Sequence, residues 1–255
     1  MTETRFEMRA LLARGLLVLV AAASLVSAPA LSSTRLTPHQ AQYGVEISVV
    51  NGELNTQLAL NEDGHYVATH TIAPTGLSKL VARGSISETS EFADGDNGVV
   101  PVAYRSNDSL SRDKERADIR FDWDRNEASG TVNEQQMTTV LEGLSHDRVS
   151  IQYQLMHDLL NDSPSEHYRM FEVDELKTLN IRSIGSRDVK VPAGTFEAIG
   201  IQHQAENSSR VTTLWCVAEL GYLPVIIEQH RKGKLRVRAT LRRYTPARAV
   251  AAEDF

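Results

Sequence analysis

Residues 214–228 read LWCVAELGYLPVIIE. The stretch holds Trp215, one of two tryptophans, and Cys216, the sole cysteine. Its apolar run is broken by Gly221-Tyr222-Leu223-Pro224, a tetrapeptide rich in turn signals. Two short apolar runs bounded by a turn have the length of strands, not of helices. The stretch therefore reads as a central β-hairpin buried on both faces, with Cys216 an inert buried thiol.

The same logic extends outward. Tyr222–Arg231 and Leu235–Tyr244 are strands joined at Lys232-Gly233-Lys234. A three-residue loop there sets Glu228 opposite Arg238 and gathers Val225, Ile227 and Gln229 on the face of Leu235, Val237, Ala239 and Leu241. Residues 231–243 carry seven Lys or Arg, of which Lys234, Arg236, Arg238 and Arg242 share one strand face. Upstream, Thr195–Gln204 and Arg210–Val217 are strands, and Val191-Pro192-Ala193-Gly194 fits a type I turn. Near the start, Tyr43–Val50 and Glu53–Leu60 alternate around Asn51-Gly52, the favoured type I′ dipeptide. That turn predicts Val49 opposite Leu54 and Val45 opposite Leu58. His65–Ala73, Gly84–Phe92, Val99–Ser106, Ala117–Trp123, Glu127–Val132, His167–Val173, Lys177–Ile184 and 189–191 add further strands.

One helix interrupts them. Over Asp147–Asn161 the residues Val149, Tyr153, Met156 and Leu160 form a stripe at i, i+4, i+7 and i+11. Asp147 is placed to cap its start, and Ser163-Pro164 stops it. About a dozen strands in hairpin order with one helix predict a mainly β fold. It is one large curved antiparallel sheet, or incomplete β-barrel, with one amphipathic helix packed on it.

The ends of the chain carry different signals. Arg5, Arg9 and Arg14 precede the apolar segment 15–27, and Ala28-Pro29-Ala30 offers the small residues of a cleavage site. The segment is shorter than the roughly 20 residues of a membrane span. Residues 1–30 are read as a signal peptide cleaved near Ala30, which predicts a periplasmic protein with no transmembrane segment after cleavage. Residues 31–40 form a flexible lead-in, 41–245 a single β-rich domain and 246–255 a disordered tail. One cysteine excludes an intramolecular disulfide framework. Beyond residue 30, 24 basic against 31 acidic side chains leave a net charge of −7, a poor match to nucleic acid.

Five short motifs occur in a fixed order: Pro101-x-x-Tyr104, Phe121-Asp122-Trp123, Asp147-x-x-Ser150-x-x-Tyr153, Pro192-Ala193-Gly194-Thr195-Phe196, and Leu214-Trp215 through Leu223-Pro224-Val225. With them, roughly residues 41–245 resemble the bacterial family of exported proteins catalogued as domain of unknown function 3108. The resemblance implies a Gram-negative envelope location and a β-rich fold, and it transfers no catalytic residues. The Trp-turn-Pro hairpin alone is also similar to one in periplasmic lipoprotein carriers, an analogy of a single hairpin.

Chemistry-bearing patterns are sparse. Ser145-His146-Asp147 sits in Gly143-Leu144-Ser145, which lacks the second glycine of a nucleophile elbow. Adjacent residues seldom converge into a triad, so no catalytic residue and no enzymatic activity are expected, and a hydrolase built on these three residues is the least favoured reading. The eight histidines include no His-x-x-x-His pair, and no metal or cofactor is called for. His157-Asp158 with His167 is the nearest approach to a metal set. The leading expectation is a non-catalytic envelope module binding a lipid or hydrophobic ligand. Tyr153, Met156, Trp215, Arg236 and Arg238 are the candidate ligand-binding residues, the two arginines serving an anionic lipid or envelope polymer. The alternative is a structural or interaction factor whose protein partner is lost on reversing Arg236 and Arg238.

Overall fold

The computed structural model describes residues 35–48, 50–172 and 175–247. The segment read as a signal peptide and residues 248–255 of the tail lie outside the described residues. Among the described residues, fifteen strands form one open sheet. They are β1 (His39–Ile47), β2 (Val50–Leu60), β3 (Tyr66–Pro74), β4 (Ile86–Gly95), β5 (Gly98–Asp108), β6 (Glu115–Asp122), β7 (Glu127–Val132) and β8 (Gln135–Val140), then β9 (Ser145–His146), β10 (His167–Glu172), β11 (Glu175–Val191), β12 (Gly194–Ala205), β13 (Arg210–Val217), β14 (Leu223–Arg231) and β15 (Lys234–Pro246). Their order is β8-β7-β6-β5-β4-β3-β2-β1-β15-β14-β13-β12-β11-β10-β9. Every neighbouring pair is antiparallel except β9 with β10. The expected curved antiparallel sheet with one helix is what the chain forms.

β1, not the 214–228 hairpin, is the middle strand, joined to β15 on one side and β2 on the other. Residues 214–228 do form a hairpin, β13 with β14, closed by a 3-10 turn at Ala218–Leu220 and by Gly221 and Tyr222 at positive φ. Leu223-Pro224 already belongs to β14. The missing N–H of Pro224 falls at a bulge opposite Trp215 and Cys216, where a ladder bond is dispensable.

Two hairpin registers differ instructively from expectation. Asn51-Gly52 is not a turn but part of β2, because Ile47 pairs with Val50 and Tyr43 with Leu54. The reversal lies at residues 48–49, with Ser48 at φ 56°; Val49 itself lies outside the described residues. Neighbouring structure selects this register. The Asn51 amide donates to Ser78 Oγ at 2.8 Å, and the Thr75 amide donates to the Asn51 carbonyl. Gly52 lies so close to β3 that a Cβ there would come within 3.0 Å of the Ala73 carbonyl. The slip moves the pairing by an even step, so Val45, Leu54, Thr56 and Leu58 stay on the buried face. At the β14–β15 turn, Glu228 does face Arg238, at 2.9 Å. The loop, however, has two residues, Lys232 and Gly233, both at positive φ, and a bulge at Gln229/His230 absorbs the difference.

The helix α1 (Ser150–Leu160) starts three residues later than the periodicity suggested, yet Asp147 caps it. Asp147 Oδ1 accepts the amides of Val149 and Ser150, and Ser150 Oγ accepts the amide of Asp147. This reciprocal arrangement works like a capping box. α1 packs between the two halves of the sheet. Tyr153 meets Phe92 at 5.3 Å between ring centroids and also His39 and His70. On its other side Leu155 and Leu159 pack with Tyr168, Ile201, Leu214 and Cys216.

The lead-in is tied down from residue 36. Leu36 is buried, its amide donates to Asp94 Oδ2, and its carbonyl accepts from Tyr66 Oη. Within the segment read as a lead-in, Leu36 is thus packed against the domain and His39 and Gln40 belong to β1. Likewise β15 runs to Pro246, and the Ala247 amide donates to the Pro38 carbonyl.

Candidate functional site

The five residues singled out in the sequence are not brought together. Tyr153 and Met156 are buried inside the curve as part of the core. Trp215 points away from its neighbours Leu214 and Cys216, which pack on the helix, and the Arg187 guanidinium lies 3.9 Å over its ring. Arg238 pairs with Glu228, and Arg236 shares its alternation on the face turned away from Ala239 and Leu241. A single ligand cannot span these positions.

Ser145, His146 and Asp147 are likewise engaged separately. Ser145 Oγ donates to the Gly143 carbonyl. His146 Nδ1 is buried without a partner, its ring edge-on to Tyr168, and burial holds its pKa down to about 3. Asp147 accepts Ser90 Oγ at 2.6 Å and Ser150 Oγ at 2.8 Å as well as two amides. Burial raises its pKa while those donors act in the opposite direction. Its role is to tie the helix start to β4. His157 Nδ1 lies 2.7 Å from Asp94 Oδ1, whereas His167 pairs with Asn180, so that pair of histidines shares no site.

The concave face does leave space at one end. Ile201, Leu214 and Ile227 pack toward α1. Two residues along the same strands, His203, Thr212 and Gln229 point to the same side and line a cleft of about 570 Å³. Arg148, Lys177, Arg210 and Arg231 supply positive charge to its walls, Glu172 and Glu206 negative charge, and Met170 and Leu179 apolar surface. Two of the cations are neutralised internally. Arg148 contacts Glu88 at 3.0 Å and pairs with Glu115, while Lys177 pairs with Glu172 and Glu175. The other two face each other. Arg210 and Arg231 are direct cross-strand partners on β13 and β14, and neither makes an ion pair among the described residues. Like charges in that position repel. His203, half-buried in the cleft floor, has its pKa lowered to about 4 by desolvation and stays neutral at pH 7. The cleft thus offers two uncompensated guanidiniums above a neutral floor with an apolar flank.

Sequence patterning missed this site because its residues come from β10 to β14, from the loop between β12 and β13, and from Arg148, two residues before the helix. Arg231 opens the basic run, but only the bulged register of β13 and β14 sets it against Arg210.

The family model described as a protein of unknown function (DUF3108) matches residues 39–240. No curated protein matches. Among solved structures, the beta-barrel-like protein of domain of unknown function DUF1849 from Brucella abortus is similar at a TM-score of 0.59. It has 10% identity, with 84% of this chain and all of that chain covered. The MucA/MucB complex of Pseudomonas aeruginosa gives 0.39 at 10% identity, over 86% of this chain and 55% of that one.

Proposed function

This chain belongs to the DUF3108 family, and from that premise we propose a non-catalytic binding module of the bacterial envelope that holds an amphiphile with an anionic headgroup. The observation that carries this reading is the opposed pair Arg210 and Arg231 at the mouth of the concave cleft. A fold retains a repulsive pair at little cost when a ligand anion neutralises it, and guanidiniums suit phosphate or carboxylate oxygens through paired donors. Met170 and Leu179 offer a short apolar seat beside the head. The filled core around Tyr153 and Met156 turns the ligand away from the helix and toward this open end. The signal-peptide pattern supports an exported location, and among the described residues no helix is long and apolar enough to cross a membrane.

Native mass spectrometry of the gently purified full chain tests the proposal. A co-purifying anionic lipid mass, lost in R210Q/R231Q, is the expected result. A clean apo mass in the parent chain, or an adduct unchanged in the variant, overturns it.

A further inference from the structure

The end of the sheet where the cleft opens carries a second feature made of other residues. Among the large exposed apolar side chains, Leu77 is 84% exposed, Val81 78% and Leu80 74%. Leu77 and Leu80 stand on the 3-10 helix Gly76–Leu80 that follows β3, with Val81 its next residue. Ile47, at the end of β1, and Leu235, at the start of β15, are exposed at the same end. Strand direction places them together: β1 and β3 end there, and β2, β4 and β15 begin there. β3, β2, β1 and β15 lie side by side, so these tips span about 15 Å of rim at the usual inter-strand spacing.

Two of these tips carry charge of one sign, while Glu46 stands beside Ile47 at the end of β1. Residues 75–85 contain Lys79 and Arg83, residues 232–236 contain Lys232, Lys234 and Arg236, and neither segment has a carboxylate. None of these five cations makes an ion pair among the described residues. In a chain of net charge −6 this is a local reversal.

We infer that this rim docks on an anionic bilayer surface, with Leu77, Leu80 and Val81 entering the headgroup boundary and the five cations at the level of the lipid phosphates. Apolar side chains on separate projecting tips suit insertion among lipids; a protein interface packs as a contiguous face. Lysine and arginine stems extend along the apolar tips while their heads reach phosphate. This inference stands on residues outside the cleft lining, so it holds or fails separately from the ligand proposed above. If both hold, the cleft mouth faces the lipid surface.

The buried single cysteine makes the test clean, because an introduced thiol is the one that labels. L80C and, at the opposite end of the sheet, L60C are made in the full chain and carry an environment-sensitive fluorophore. Each is mixed with phosphatidylglycerol/phosphatidylcholine vesicles and with pure phosphatidylcholine vesicles. The label at 80 is expected to brighten and shift to the blue on anionic vesicles only, while the label at 60 stays unchanged. Adding K79A/R83A weakens the response at 80 about thirty-fold, at the usual contribution of each surface cation. An equal response at both positions, a response indifferent to lipid charge, or no response overturns the inference. A protein cross-linked at position 80 without any vesicle response assigns the rim to a protein partner instead.

Discussion

His146 shows how one side chain carries a measurable consequence. Its ring is buried with an unpartnered Nδ1, and its pKa is held near 3 by desolvation. In the unfolded chain it titrates near 6.5. Above that pH neither state binds the proton, so stability is unaffected. Between about 6.5 and 3 the unfolded chain takes up a proton that the native state refuses, so stability falls as pH drops. H146F should flatten the decline of the urea midpoint between pH 6.5 and 4; an unchanged slope would count against the burial of that ring. Asp147 makes the opposite kind of contribution, by accepting four donors. D147A leaves Ser90 and the first helical amides unpaired and should cost about 3 kcal/mol in chemical denaturation, summing a cap and a buried bond. D147N should cost less. The sequence disclosed the capping role directly through Asp147-x-x-Ser150. It gave no sign of Ser90, 57 residues away.

At the scale of elements, strands and helix were legible because alternation and 3.6-residue periodicity survive without tertiary knowledge. Registers were legible only in part. The Glu228–Arg238 pairing followed from keeping Val237 inward, but a bulge did the work assigned to a longer loop. Asn51-Gly52 misled because a local turn preference yields to the pairing of β2 with β3. Helix docking depends on a similar long-range fit. Gly98 has φ 110°, and a Cβ there would meet Gln154 Oε1 at 2.7 Å, the atom that accepts the Val99 amide. G98A should therefore cost about 2 kcal/mol or more, combining left-handed strain with a displaced helix. Thermal unfolding checks it, and a neutral substitution would mean that α1 does not sit against β5.

For the whole molecule, the sequence conveyed architecture and family but placed its ligand residues on surfaces that do not meet. Tyr153 and Met156 went to the core, Arg236 and Arg238 to the opposite face, and the open end gathered residues from five strands. Patterning along one chain cannot reveal a site whose parts meet only through curvature. The site also predicts a trade between stability and binding. Relieving the Arg210–Arg231 repulsion with R231Q should leave the ligand-free chain as stable, or more stable by up to about 1 kcal/mol, while weakening ligand binding. A residue kept for structure would show loss of stability instead.

That trade points to the most direct measurement. A short-chain, monomeric phosphatidylglycerol is titrated into the full chain and into R210Q/R231Q by calorimetry, with phosphatidylcholine of the same chain length as the uncharged control. The expected outcome is saturable one-to-one binding of the anionic lipid to the parent chain, at least about ten-fold weaker in the variant for the loss of charge-assisted bonds, and little binding of the control. Equal affinity of both proteins, or no saturable binding by the parent chain, would contradict the assignment of the cleft.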